Sequence, residues 1–460
     1  MKPTPVTQFP ASDARSAGTE AVADPATPAL PSMAYRGWFL FVMMLVSASV
    51  IGERFMMAVM VGPIKADLGL SDTQIGLAKD LAVTMVYILA VIPLARVADR
   101  WSKRKIVAMA CAIWSLAVVL CGQARSFLPL LIGRAAIGLG EGGFTPPSQS
   151  WIADLFPMKQ RATALAVFLL GASLGHLAGP SLGGWLTSEY GWRRAMMLAA
   201  IPGLVLVPLV LLTLRDAPPG LADGRVASEV ESRPFGETLR EILAVRTLPL
   251  LILGAALTTL LTMGLVSWTP AYMERSFGMS ARDAGLGMGG ALFLGSVIGH
   301  SVGGPIADFL GRRDLRWYLW IQVFSAVGAT AVAFVMLNGP GDHVFALLGL
   351  NMLIGGLSAA PLMAVISGLA PVHARSVTVA LLMVTVNIVG LGGGPLFVGF
   401  LSDLFAPQYG VESLGMAMRA VLIVGLPAAA LSFWASRLCL ADFARCGAWD
   451  GTRAAAPALH

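Results

Sequence analysis

Twelve apolar stretches, each long enough to cross a bilayer as a helix, constrain this chain more than any motif does. They fall near 37–62, 73–98, 104–123, 127–154, 159–186 and 193–214, then near 247–274, 280–308, 315–337, 343–370, 373–402 and 411–440. Hydrocarbon offers a backbone no hydrogen-bond partner, so a spanning segment must satisfy its N–H and C=O groups internally, and about 20 apolar residues in helical form do so. The fold class that follows is an all-α polytopic membrane protein, with the lipid bilayer as its first partner. Composition excludes the alternative. A chain of 460 residues that is 56% hydrophobic and 13% charged has too little polar surface to cover a soluble globule, and its mean hydropathy is +0.75.

The spans group in two sets of six. Residues 1–35, rich in Pro, Ala, Thr and Asp, are expected to form a disordered tail, and no cleavable signal precedes the first span, which then serves as an uncleaved start helix. A six-helix bundle over 36–214 is followed by a linker over 215–246. There Pro218, Pro219 and Gly220 end a helix, and PFGETLREILAVR offers a short amphipathic one against the membrane surface. The second bundle covers 247–441, and 442–460 is a second tail. With both termini cytoplasmic, 22 of the 32 Lys and Arg residues lie on the cytoplasmic side, eight lie outside, and Arg54 and Arg134 lie within the membrane. This is the bias expected of a protein of the cell's inner (cytoplasmic) membrane. The four cysteines have neither disulfide nor metal-ligand spacing.

The halves repeat one another. LARVADRWSKRK (94–105) joins spans 2 and 3, and GGPIADFLGRR (303–313) joins spans 8 and 9, with Asp99 and Asp308 209 residues apart. The Gly-Pro pairs of GHLAGPSLGGWL (175–186) and GLGGGPLFVGFL (390–401) are offset by 215, and Arg161 and Arg375 by 214. Three matches at nearly the same offset make a duplicated six-span unit. Parallel repeats of this kind place a site at their interface near the bilayer midplane.

Charge inside the spans locates that site. In Gly133–Pro147, GRAAIGLGEGGFTPP, Arg134 and Glu141 are seven residues apart, which puts them on one helix face roughly 10 Å apart along the axis. Lipid does not hold such groups, so they face a bundle interior or a water-filled path. Glycines 138, 140, 142 and 143 let a neighbouring helix come close. In span 1, Glu53 and Arg54 are consecutive and diverge by about 100°, so each needs a partner elsewhere. The expected pairs are Glu53 with Arg134 and Arg54 with Glu141.

These residues resemble the major facilitator superfamily. ARVADRWSKRK is similar to its loop signature G-x-x-x-D-R-x-G-R-K/R, with Ala95 and Ser102 where glycine is usual, while the second copy keeps Gly304 and Gly311. Within the superfamily, GERF in span 1, RAAIGLGEGGFTPPSQSWIADLFP around span 4 and RDAPPG after span 6 look most like the Spinster-like transporters. The same charged pattern occurs in the organic anion:cation symporters. The resemblance implies twelve transmembrane helices in two pseudo-symmetric bundles and a secondary transporter working by alternating access.

On that expectation the residues take roles. Arg54 exchanges its carboxylate for an anionic substrate group, because a guanidinium offers either one a bidentate fork. Glu53, Arg134 and Glu141 couple the exchange to protons, with Glu141 accepting one when Arg54 releases it. Asp99, Arg100 and Asp308 form a cytoplasmic gate, or else carry only positive-inside topology. Lys79, beside Asp80, touches substrate or closes the outer side, or else the two pair with neighbouring groups at the headgroup level. His176 serves the cavity or packing. Asn387 donates a hydrogen bond to substrate, and Tyr272, with Trp268, walls the cavity or anchors at the interface. Methionines such as Met56, Met57, Met60 and Met263 offer an adaptable apolar lining. The expected cargo is a small anionic or amphipathic molecule, possible cargoes including a lysolipid; a small carboxylate or sugar acid carried by symport, and a drug exchanged for protons, are the alternatives. No nucleotide loop, metal-ligand set or nucleophile-base pair is present. The expectation is therefore no enzyme, no metal and no cofactor, a proton gradient as energy source, no nucleic acid partner, and a monomer.

Overall fold

The computed structural model describes residues 30–218, 221–222, 235–371 and 374–446, and among these the chain is helical with no strand. Ten described segments are long and apolar enough to cross a membrane. Two of them run for 55 and 68 residues, well over twice what one crossing requires. The first breaks at Gly191, with φ 76°, and the second at Gly410, with φ 53°, which opens a 3₁₀ turn over Gly410–Glu412. Glycine enters this left-handed region without the Cβ penalty other residues meet. Each break reverses the chain, so the ten segments are consistent with twelve crossings in the expected order.

Span 1 is Met33–Leu68. Span 2 is Asp72–Gly76 and Ala82–Arg100, joined through a π-turn at Leu77–Leu81. Span 3 is Lys103–Gly122, and span 4 is Phe127–Gly142 continuing as Thr145–Leu155. Spans 5 and 6 are the two arms of Met158–Ala199 on either side of Gly191, the second extended by Ile201–Thr213. In the second bundle, spans 7 to 10 are Thr247–Phe277, Ala281–Gly311, Trp317–Asn338 and Val344–Leu369. Span 11 is Arg375–Thr385 and Gly393–Tyr409 around a π-turn at Val386–Gly392, and span 12 runs from Ser413 to Cys446.

Both expected tails are shorter than the sequence suggested. Span 1 starts at Met33, with the Ser32 hydroxyl accepting from the Tyr35 N–H at 3.3 Å, and span 12 reaches Cys446. The remainder of each tail lies outside the described residues. The linker helix forms at Phe235–Ala244. It buries Thr238 and Ile242, and Ile242 joins a core cluster with Leu248, Leu251, Val365 and Leu369. One face of it is therefore docked on the second bundle.

Polarity runs inward. Glu53, Lys79, Asp80, Arg134 and Glu141 are all buried, while Leu89, Leu212 and Phe334 lie on the outside, where lipid solvates them as well as protein does. Small residues bring the backbones together. A methyl on Gly175 would fall 2.7 Å from the Ala48 carbonyl, and one on Gly179 would strike the Gly52 carbonyl, so spans 1 and 5 cross in near backbone contact. Across the bundles, span 5 packs on span 8 and span 2 on span 11. A methyl on Gly76 would fall 2.7 Å from the Pro395 carbonyl. Spans 2 and 11 both carry a π-turn where they meet.

Candidate functional site

The charges of the first bundle form one connected network. Arg134, with no exposed surface, donates from Nη1 to Glu53 Oε1 at 2.5 Å and from Nη2 to the Lys79 carbonyl at 2.8 Å. Arg54 donates from Nη1 to Glu141 Oε2 at 3.2 Å, from Nε to Asp80 Oδ1 at 3.3 Å and from Nη2 to the Thr84 hydroxyl at 3.2 Å. Both pairings expected from helix geometry are therefore present. The consecutive residues Glu53 and Arg54 look to different partners, as a 100° step requires.

Arg54 and Glu141 border a cavity of about 130 Å³. Its walls are Val50 and Ile51 of span 1, Thr84 and Tyr87 of span 2, Thr145 of span 4 and Asn387 of span 11, so both bundles contribute. Asn387 donates to the Met383 carbonyl at 2.7 Å and stands in the π-turn of span 11. Such turns widen a helix locally and are frequent at functional sites. Two buried carboxylate oxygens, Glu141 Oε1 and Glu53 Oε2, have no hydrogen-bond partner among the described residues.

Other expected site residues are placed differently. Arg134 does not face the cavity; it is enclosed by Glu53 and the Lys79 carbonyl, so it cannot meet a substrate anion in this conformation. Lys79 is also walled off, donating to Asp80 Oδ2 and to the Ser267 hydroxyl of span 7, both at 2.8 Å. Adjacent residues can pair here because the π-turn alters the angular step between them. His176 sits between the bundles, its Nδ1 3.4 Å from the Ser296 hydroxyl and its ring edge-on to Phe55 at 4.6 Å. Tyr272 is a correction: it is buried within the second bundle against Phe277 and Gly415, on a face of span 7 turned toward span 12. Met56, Met57 and Met60 are core residues too and do not line the cavity.

At the end away from the described termini the bundles are bolted together. Arg275 of span 7 forms a bidentate pair with Asp72 of span 2, at 2.8 and 2.7 Å. Asp72 also accepts from Lys65 at 2.6 Å and from the Ser402 hydroxyl at 2.7 Å. Asp403 of span 11 accepts from the backbone N–H groups of Asp72 and Thr73, at 3.0 and 2.7 Å, and so caps span 2 from the other bundle. None of these was singled out from sequence. Asp72 after Ser71 reads as a local capping signal, and Arg275 in the last turn of span 7 reads as a dipole complement, so each had a sufficient explanation within its own helix.

At the opposite end, Asp308 is exposed and accepts from the Tyr318 hydroxyl at 2.7 Å within its own bundle. The side chains of Asp99 and Arg100 lie outside the described residues. Nearby, Lys103 pairs with Asp154 and donates to the Ser150 hydroxyl at 2.7 Å.

A duplicated six-helix unit with ion pairs buried around a cavity lined by both halves is the arrangement of a membrane transporter. The comparisons agree: residues 42–393 match the Major Facilitator Superfamily, and the chain belongs to that family. It is 31% identical over 385 residues to an MFS-type efflux pump of Mycolicibacterium smegmatis, covering 83% of this chain and 88% of that protein. It is 24% identical over 325 residues to the cis,cis-muconate transport protein of Acinetobacter baylyi, covering 69% and 75%. Among solved structures, a bacterial homolog of the human lysosomal transporter Spinster, in an inward-facing and unoccupied conformation, superposes with a TM-score of 0.81 at 26% identity. That match covers 90% of this chain and 99% of the other.

Proposed function

We propose that this protein is a proton-coupled secondary transporter for an organic anion, amphipathic or small, whose negative group binds Arg54. The observation that carries the reading is the sharing of one guanidinium between two carboxylates at the wall of a cavity built by both bundles. An anion entering that cavity competes with Glu141 and Asp80 for Arg54. A carboxylate that loses its cation in a buried site is stabilised by taking up a proton, so cargo and proton become linked. Closure at the Asp72–Arg275 end, together with the likeness to an inward-facing structure, supports reading this conformation as open toward the cytoplasm, with both termini on that side and the protein in the inner membrane.

Two substrate classes fit. The Spinster likeness favours an amphipathic anion such as a lysolipid. The small polar cavity and the likeness to a muconate transport protein favour a compact carboxylate. A thermal-shift screen of lysolipids, aromatic acids and sugar acids against purified protein separates them, and the class that stabilises the protein is the substrate class. For coupling, the test is Glu141→Gln in proteoliposomes. Substrate exchange should persist while its acceleration by a pH gradient disappears; equal loss of both would overturn the assignment of Glu141 as the coupling acid.

A further inference from the structure

Asp80 occupies an unusual position in the network. One of its oxygens accepts from Arg54 at the cavity wall at 3.3 Å. The other accepts from Lys79 at 2.8 Å and from the Ser267 hydroxyl at 3.3 Å. Ser267 belongs to span 7, in the opposite bundle, and also accepts from Lys79 at 2.8 Å. Lys79, Asp80 and Ser267 are all buried. The charged groups around Asp80 are Glu53 and Arg54 of span 1, Arg134 and Glu141 of span 4, and its own neighbour Lys79. Span 7 meets it with the uncharged Ser267.

We infer that Lys79 and Asp80 form a latch that clasps Ser267 across the bundles and makes the closed end sense whether Arg54 is occupied by its own carboxylates or by cargo. This rests on the reading of Arg54 as the anion site and adds the route by which that site reaches the seam. While Arg54 holds Asp80, the carboxylate is fixed with its second oxygen turned to Lys79 and Ser267. The ammonium is then held between two acceptors, one in each bundle. When an anion draws Arg54 away, Asp80 loses one of the two cations that fix it, and the three-way contact with Ser267 loosens. The π-turn at Leu77–Leu81 makes this possible, because it lets consecutive side chains share one partner.

The latch is tested by measuring the distance across the closed end with spin labels on Glu189→Cys and Arg282→Cys, at exposed positions at the ends of spans 5 and 8. Ser267→Ala removes only the hydroxyl and should raise the open-to-closed ratio by about tenfold, the size expected for losing a hydrogen bond to a charged group. Lys79→Met and Asp80→Asn should do the same or more. Ser267→Thr keeps the hydroxyl and should retain the closed distances, which separates the latch from a packing defect. Unchanged distances in Ser267→Ala and Lys79→Met would overturn the inference. Should Glu141→Gln retain its response to a pH gradient, the coupling assignment fails while the distance measurement still reports on the latch.

Discussion

Arg54 and Arg134 are both buried arginines paired with glutamate, yet their surroundings give them different work. Arg134 is sealed, its fork divided between Glu53 and a backbone carbonyl of span 2, so it holds spans 1, 2 and 4 together. Removing one member of such a pair strands a buried charge at a cost of about 3–5 kcal/mol. Arg54 shares its fork among Asp80, Glu141 and Thr84 beside a cavity, so a partner can be exchanged without stranding it. Arg54→Lys keeps the charge and loses the fork. For whichever anion stabilises the wild type in the thermal-shift screen, affinity should fall roughly 10–100-fold, the value of one to two charge-assisted hydrogen bonds. Titration calorimetry checks this, and undiminished affinity would remove Arg54 from the binding site.

At the scale of helices, glycine determines how closely the charged faces approach. The side chains of Glu53 and Arg54 reach span 4 and span 2 because span 1 is pressed inward by span 5 at Gly52, Gly175 and Gly179. Gly179→Val would drive a branched side chain into the Gly52 backbone. Overpacking of this kind costs about 1–3 kcal/mol or more, and the melting temperature and monodisperse yield should both drop. Gly37→Ala, where a methyl meets nothing within 4 Å, should lower neither, since alanine is the better helix former there. The two π-turns are the other feature of this scale. Leu77–Leu81 reads as ordinary helix, and Val386–Gly392, with Gly390 and Gly392, reads as weakened helix without specifying a π-turn, so their effect on Lys79, Asp80 and Asn387 was invisible before folding.

For the molecule as a whole, the decisive fact is that the seam is closed at one end by Asp72, Arg275 and Asp403. Under the proposed transport cycle that closure is broken at each turnover, so it should be only marginally stable. Arg275→Met removes the bidentate pair and should increase thiol labelling of Leu396→Cys, packed on Gly76 across the seam, by about tenfold or more, as expected for a charge-assisted contact. Labelling at the wild-type rate would show that the pair does not hold the seam. Much of this architecture was legible in advance. The spans, the duplication, the interface between halves and both ion pairs joining spans 1 and 4 followed from hydropathy, repeat offsets and helical angles. The seam itself was not, because Asp72 and Arg275 are 203 residues apart and each looks satisfied by its own helix terminus.

The sequence alone determined that this chain must cross a membrane repeatedly, must repeat itself, and must gather its few intramembrane charges on inward faces, because hydrocarbon tolerates neither unpaired backbone nor unpaired charge. Tertiary structure alone decided which cation is sealed and which borders open space, which end of the seam is shut, and that Lys79 reaches across to Ser267. Those outcomes depend on contacts between distant segments and on local widening of two helices, and neither leaves a periodic trace in the order of residues.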